Sequence, residues 1–275
     1  MLDDPDRGEP SSLRGRLSEI YFPALVSSQS DQLLRRLGDR ATVDDPIFGR
    51  TSRAPALTRY LDEISVWLAK RQGSFEKTAF VTGSDRDVTE GSLALTFDGR
   101  RVTVPVAVVA ERRPEREIEL RLYYSTKPIK GTHAVRSPLL PKNDEVTVPP
   151  PVEAQIAALA RGDAAAVVAS FETGGMLRDA AGQSYLKEGD GGPLLSFYEK
   201  LLSNVKSPVK DPATGIEMLK GARADDGKIC ALEYTVVRIR AKAVAPQAGM
   251  AVYERGDSGL LRAVRVYEDI DLHAG

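Results

Sequence analysis

Hydrophobic residues between positions 13 and 71 recur every three to four residues, which is the spacing of amphipathic helices. Within residues 13–37 this spacing predicts two short helices, and Pro23 predicts a kink or a boundary inside the first of them. A third helix is predicted over residues 54–71. Its apolar face carries Leu57, Tyr60, Leu61, Ile64, Trp67 and Leu68.

From Ser74 onward the pattern changes to the β-branched and alternating runs that are typical of strands. Asp98-Gly99 and Arg113-Pro114-Glu115 supply hairpin turns between these runs. Helices followed by antiparallel strands predict an α+β domain, in which the helices cover the concave face of a curved sheet. The predicted strands are residues 75–82, 92–98, 101–112 and 117–126.

Residues 137–151 contain five prolines among charged residues and predict an extended linker. After it the same order of elements begins again. The helical segments are residues 152–160, 164–171 and 192–203, and the strand candidates are residues 216–222, 228–240, 249–255 and 260–270.

The last strand of each half supports an internal duplication, because residues 119–124 and 263–268 both place a tyrosine two residues after an arginine. The predicted organisation is a disordered tail over residues 1–11, a first domain over 12–136, the linker over 137–151, and a second domain over 152–275.

Charge and composition exclude several classes of function. The chain has 38 basic and 39 acidic residues, which gives no basic footprint for nucleic acid. No apolar run is long enough for a membrane helix, and the acidic start is unlike a secretory signal, so we expect a cytoplasmic protein. Cys230 is the only cysteine, and His133 and His273 are the only histidines, which argues against a metal centre.

Residues 41–49 read Ala-Thr-Val-Asp-Asp-Pro-Ile-Phe-Gly and place Asp45 at the point where an apolar run ends. If the carboxylate faces an apolar interior, desolvation raises its pKa and makes it a better general base. An aspartate before Pro46 can equally serve to stabilise a turn. The sequence leaves both interpretations open.

The same segment resembles the region around the catalytic aspartate of bacterial ketosteroid isomerases, members of the nuclear transport factor 2-like superfamily that also contains SnoaL-like polyketide cyclases. The resemblance implies two tandem cone-shaped α+β barrels that form a pseudo-dimer within one chain, monomeric or in a higher homo-oligomer. It also implies that Asp45 is the general base, and that Tyr21, at 45 − 24 = 21, donates to the developing enolate oxygen. No cofactor is implied.

In the second half, Asp179 corresponds to Asp45, and Gln155 lies at 179 − 24 = 155, where an amide can hydrogen-bond a carbonyl. Ketosteroid isomerases carry a second acid on a central strand, and the matching position here falls on Ala107 or Val108. Because neither side chain can donate a hydrogen bond, steroid isomerase activity itself is not expected.

Related polyether epoxide hydrolases, which also occur as tandem domains, divide acid and base roles between an aspartate and a glutamate. That resemblance makes Asp45 with Glu76, and Asp179 with Glu217, two candidate pairs. Solvated glutamates at the ends of strands explain the same pattern, so this role also stays open.

The leading hypothesis is an enzyme that isomerises, dehydrates or cyclises a small apolar molecule. The alternatives are a non-catalytic ligand-binding or scaffold protein of the same fold, or a tandem epoxide hydrolase or cyclase. Candidate substrate contacts, which are also explained as ordinary core residues, are Phe48, Tyr60, Trp67, Phe80 and Gln155.

Overall fold

The computed structural model describes residues 15–114, 117–203, 215–240 and 242–270. The tail predicted over residues 1–11 lies outside these ranges, and so does His273. The chain divides into two compact units, residues 1–124 and 125–275. Among the helices described, none has the length and apolar character needed to cross a membrane.

The first unit places three helices on a six-stranded mixed sheet. Its helices are α1 (Leu17–Val26), α2 (Ser30–Leu37) and α3 (Ala56–Lys70), and its strands are β1 (Thr42–Asp45), β2 (Gly49–Ser52), β3 (Ser74–Thr82), β4 (Arg86–Phe97), β5 (Arg100–Arg112) and β6 (Ile118–Tyr123). The strand order is β2-β1-β6-β5-β4-β3. Strands β1 and β6 run parallel, and the other neighbouring pairs are antiparallel.

The predicted helices and the four long strands of this unit are confirmed, with shifted ends. Pro23 was expected to cause a kink or a boundary; it lies inside α1, which continues through it to Val26, so the boundary is wrong and the kink stays a prediction. The helix persists because Ile20, Ala24 and Leu25 are buried, and the gain from their burial exceeds the loss of one backbone hydrogen bond. Strand β4 begins earlier than predicted because its first residues pair with β5.

The second unit repeats this plan after the short helix α4 (Lys127–Lys130). Its helices are α5 (Pro150–Arg161), α6 (Ala164–Ala169) and α7 (Gly192–Leu202), and its strands are β7 (Phe171–Arg178), β8 (Ser184–Leu186), β9 (Ile216–Asp225), β10 (Ile229–Ile239), β11 (Lys242–Arg255) and β12 (Leu261–Glu268). The strand order, β8-β7-β12-β11-β10-β9, reproduces that of the first sheet. The predicted repeat of an α+β fold is therefore confirmed.

Strand register aligns the two copies residue by residue. Asp44 lies opposite Arg121 in the pairing of β1 with β6, and Arg178 lies opposite Arg265 in the pairing of β7 with β12. The next residue along each first strand is an acid, Asp45 in one unit and Asp179 in the other. The duplication predicted from the last strand thus extends to the two candidate aspartates.

The proline-rich segment packs against the second unit. The Asn143 N–H donates to the Lys220 carbonyl at 2.8 Å, and the Ala248 N–H donates to the Arg136 carbonyl at 3.0 Å. Val146 and Val148 contact the hydrophobic core of the same unit. These contacts fix the segment on the sheet that it precedes.

Candidate functional site

Asp45 is enclosed in the first unit and fully engaged in hydrogen bonds. The residue is 1% exposed. Its Oδ1 accepts from the N–H groups of Ile47 at 2.7 Å and Phe48 at 3.0 Å, which is the turn-stabilising role that an aspartate before a proline can play. The Tyr124 hydroxyl donates to Oδ1 at 2.8 Å, and the Tyr60 hydroxyl donates to Oδ2 at 3.1 Å.

Tyr21 reaches Asp45 through Tyr60. The two hydroxyl oxygens lie 2.5 Å apart, and because the Tyr60 proton is directed at Asp45, Tyr21 is the donor of this pair. Burial first, and then the charge of Asp45, raise the pKa of both phenols. They therefore remain protonated donors at neutral pH. The structure brings the three predicted residues together, and the role of Asp45 as a base stays a prediction.

The remaining candidates of the first unit separate into two groups. Phe48 packs edge to face on Tyr60 and on Trp67, with ring centroids 5.9 and 6.0 Å apart. Phe80 instead lies under the guanidinium of Arg16, 5.7 Å from its ring centroid. Glu76 is exposed on edge strand β3.

The suggested pairing of Asp45 with Glu76 is not assembled. Strands β6, β5 and β4 separate the strand that carries Asp45 from the edge strand that carries Glu76. Asp45 is buried, whereas Glu76 is exposed. Glu76 has the solvated position that was its alternative interpretation.

A cavity of about 270 Å³ opens in the second unit between its helices and the inner face of its sheet. Its walls are mostly aliphatic and aromatic, with a small number of polar side chains. The lining residues are Lys127, His133, Gln155, Leu159, Leu177, Asp179, Ala180, Ala181, Phe197, Tyr198, Leu201, Ile216, Met218, Tyr234, Val236, Ala251, Tyr253, Val264, Val266, Glu268 and Ile270.

Glu268 and Tyr234 form a hydrogen-bonded pair on the floor of this cavity. The Tyr234 hydroxyl donates to Glu268 Oε2 at 2.6 Å. Strand register places Gly249 opposite both residues, and a Cβ at Gly249 would stand 2.4 Å from the Tyr234 ring. The missing side chain of Gly249 therefore makes the space in which the tyrosine reaches the carboxylate.

Burial raises the pKa of the Glu268 carboxyl to about 7, opposed by the Tyr234 hydrogen bond and reinforced by the charge of Asp269. Glu268 as a whole is partly buried, and it lines the cavity. At neutral pH the group is thus populated both as a carboxylate and as an acid. A carboxyl in this condition can take up a proton and return it.

Asp179 and Gln155 also line the cavity. Asp179 Oδ1 accepts from the N–H groups of Ala181 at 3.0 Å and Gln183 at 2.9 Å, so it stabilises its turn as Asp45 does. The Tyr185 hydroxyl donates to its Oδ2 at 3.2 Å. Gln155 is 1% exposed, and its amide nitrogen has no hydrogen-bond partner within the described structure.

Glu217 does not join Asp179. It lies on β9 between Ile216 and Met218, whose side chains line the cavity, and successive side chains of a strand point to opposite faces. Its carboxylate instead accepts from Arg238 Nε at 3.1 Å and is 46% exposed. The suggested Asp179–Glu217 pair is therefore not formed at the cavity.

Sequence reasoning missed Glu268 and Tyr234. The matched last strands contained a usable signal, because Tyr124 follows Tyr123 in one copy, whereas Glu268 follows Tyr267 in the other. In the first unit that position donates to Asp45, and in the second it presents an acid to the cavity. The two copies therefore differ in chemistry at this inward-facing position, where one has a tyrosine and the other a glutamate.

Within the described ranges, no group of three or more His, Cys, Asp or Glu side chains is arranged to hold a metal ion. No family model matches the sequence. No curated protein matches it either.

Solved structures do match the chain. A putative polyketide cyclase from Sinorhizobium meliloti is 17% identical, covers 41% of this chain and 99% of its own, and has a TM-score of 0.32. An LEH-like epoxide hydrolase from M. tuberculosis is 20% identical, with coverages of 42% and 84% and a TM-score of 0.34. A protein of ketosteroid isomerase-like fold from Catenulispora acidiphila, in complex with trimethylamine, is 15% identical, with coverages of 42% and 90% and a TM-score of 0.36.

These likenesses concern the fold. Each match covers about two fifths of the chain. The assignment of the fold to each unit rests on the element order and sheet topology given above.

Proposed function

We propose that the second unit binds a small, mostly apolar molecule in its cavity and transfers a proton on that molecule through Glu268. The observation that carries this proposal is a carboxyl group, hydrogen-bonded to a phenol, in a cavity whose walls are mostly aliphatic and aromatic. Few convergent polar groups in a concave apolar pocket are typical of small-molecule sites. The reactions that fit are isomerisation, dehydration and cyclisation.

Three polar side chains have separate roles in this proposal. Glu268 takes a proton from the substrate and can return it elsewhere, since both of its protonation states are populated near neutral pH. Tyr234 holds the carboxylate in one orientation. Gln155 has an unpartnered amide donor at the helix side, which suits a substrate oxygen that accepts a hydrogen bond.

The volume limits the substrate. A cavity of about 270 Å³ lies at the small end of the range for small-molecule sites, which is roughly 300–1,000 Å³. This size favours a molecule of one or two small rings or a short branched chain. Aromatic walls from Phe197, Tyr198 and Tyr253 favour a neutral, apolar skeleton.

Proton transfer can be tested without knowing the natural substrate. Wild-type protein is incubated in D2O with a panel of small cyclic ketones, and proton NMR follows exchange of the hydrogens next to the carbonyl. The Glu268→Gln variant should slow exchange by on the order of 100-fold, as expected for loss of a general base. Glu217→Gln is the matched control, because Glu217 lies outside the cavity. Equal rates for wild type and Glu268→Gln would refute the assignment.

Asp45 provides a second candidate in the first unit. The observation in its favour is a carboxylate that is 1% exposed and hydrogen-bonded to two phenols. Asp45→Asn in the same exchange assay separates the two candidates. If this variant loses on the order of 100-fold while Glu268→Gln keeps its rate, the first unit is the catalytic one.

The remaining interpretation of this cavity is that the protein binds a ligand without catalysing a reaction. It predicts that cyclic ketones bind to the wild type and to Glu268→Gln with similar affinity and that neither protein accelerates exchange. Calorimetric titration beside the exchange assay distinguishes binding without turnover from the absence of binding.

A further inference from the structure

His133 brings an imidazole to the cavity wall of the second unit, which Lys127, Asp179 and Glu268 also line. It belongs to the segment that follows α4, far in sequence from the sheet and helices that form the other walls. Its Nδ1 lies 2.9 Å from Oδ1 of Asp269, the residue directly after Glu268. At the end of β12, Glu268 therefore lines the cavity. The next residue, Asp269, contacts His133, which lines the same cavity.

Asp269 is a buried carboxylate surrounded by donors. It is 4% exposed. Its Oδ1 accepts from the Ser125 hydroxyl at 2.9 Å, and its Oδ2 accepts from the Ala134 N–H at 2.5 Å and from the Thr126 hydroxyl. The Ser125 hydroxyl and the Ala134 N–H supply their own protons, so each Asp269 oxygen acts as an acceptor toward one of them.

An acceptor oxygen beside Nδ1 fixes the histidine tautomer. The ring nitrogen next to Asp269 must carry a proton to complete the hydrogen bond, so in the neutral imidazole the proton is on Nδ1. The nitrogen that His133 can present to the cavity is then Nε2, as an acceptor when neutral and as a donor when protonated. Asp269 also anchors both ends of the 125–134 segment, which limits movement of the ring.

We propose that His133 is a second proton-transfer residue of the cavity, held in position by Asp269, and that together with Glu268 it makes the site a dehydratase. This inference rests on the proposed function of the cavity. It narrows that function because moving one proton within a substrate needs a single group, whereas removing water needs a base at carbon and an acid at the leaving oxygen.

The Glu268 carboxylate takes the proton from the carbon next to a carbonyl, and the electron pair of that C–H bond forms a carbon–carbon double bond. The bond from the β carbon to its hydroxyl oxygen breaks. Protonated His133 gives its Nε2 proton to that oxygen, and one water molecule leaves. Glu268 and His133 then exchange one proton with solvent to return to their starting states.

The tautomer is measured first. The chain has two histidines, so His273→Gln leaves a single imidazole in isotope-labelled protein. Long-range proton–nitrogen correlation spectra of the neutral ring should show the proton on Nδ1. Asp269→Asn should change the tautomer ratio, whereas Ser125→Ala, which removes a different donor to the same Oδ1, should leave it unchanged. A neutral ring protonated on Nε2 in the wild type would overturn the proposal.

Activity is measured with two probes of matched skeleton, cyclohexanone for proton exchange and cyclohexanone bearing a β-hydroxyl group for dehydration to the enone. His133→Gln should lose on the order of 100-fold in dehydration and keep exchange within about threefold, while Glu268→Gln should lose both. Parallel losses in His133→Gln, or exchange without dehydration in the wild type, would overturn the dehydratase assignment.

If the wild type accelerates neither proton exchange nor dehydration, both the proposed function and the dehydratase assignment are wrong. The spectra still determine the tautomer of His133 in that case. The two failures are therefore distinguishable.

Discussion

Replacing Glu268 by glutamine tests whether the cavity carboxyl is held in an environment that disfavours its charge. Burial raises the pKa of Glu268 from 4.5 to about 7. Each pKa unit corresponds to about 1.4 kcal/mol, so ionising this group in the folded protein costs about 3 kcal/mol more than in the unfolded chain. Glutamine has nearly the same shape, stays neutral, and can still accept the hydrogen bond from Tyr234.

The sign and the pH window follow from the two pKa values. Below about pH 4.5 the carboxyl is protonated in both states, and its contribution to stability is fully present. Between about pH 4.5 and 7 the unfolded chain releases the proton while the folded protein keeps it, so the wild type loses stability as the pH rises. The Glu268→Gln variant has no such loss. Its advantage over the wild type should grow by about 2 to 3 kcal/mol between about pH 5 and pH 8.5.

Urea denaturation followed by circular dichroism measures the free energy of unfolding of both proteins at the two pH values. The contributions of titratable groups that both proteins share cancel when the variant is compared with the wild type. Trp67 is the only tryptophan and lies in the first unit, so its fluorescence reports separately on that unit. Glu217→Gln is the control, because Glu217 is half-exposed and paired with Arg238, and it should gain nothing at high pH. An advantage of Glu268→Gln that is equal at both pH values would refute the argument.

Two further substitutions test the packing of the candidate sites. Gly249→Ala should destabilise the second unit by about 1 to 3 kcal/mol and separate Tyr234 from Glu268, because the new methyl group would stand 2.4 Å from the tyrosine ring; thermal unfolding and the ketone exchange assay measure the two effects. Asp45→Asn should cost about 2 to 4 kcal/mol, because a buried carboxylate that accepts four hydrogen bonds is replaced by a group with one acceptor oxygen. Denaturation followed by Trp67 fluorescence checks this value, and an unchanged midpoint would contradict it.

Helices and long strands were predictable from sequence because each is specified by its own periodicity. The predicted helix over residues 54–71 is observed as Ala56–Lys70, and the predicted strand over 101–112 as Arg100–Arg112. Short elements were missed. The hairpin of β1 with β2 and strand β8 are three or four residues long, and they are strands because a partner completes their hydrogen bonds.

The candidate site was also predictable only in part. The resemblance of residues 41–49 linked Asp45 to Tyr21, and the carboxylate is buried. The contact of both residues with Tyr60 came from the structure, because Tyr60 had been considered only as a substrate contact or a core residue. The cavity itself could not be located from sequence, because a cavity is space left between layers that come from separate parts of the chain. The proposed pairing of the two units as a pseudo-dimer stays a prediction.

The sequence by itself determined that an α+β plan occurs twice and that an acid, Asp45 or Asp179, follows an apolar run in each copy, because periodicity and repetition are local properties of the chain. Tertiary structure alone decided that Tyr234, Gly249 and Glu268 stand side by side on three neighbouring strands and that Asp269 engages His133. Those residues are up to 136 positions apart in sequence. Their proximity follows from strand register and helix packing, and that register gives the Glu268 carboxyl its apolar surroundings and its raised pKa.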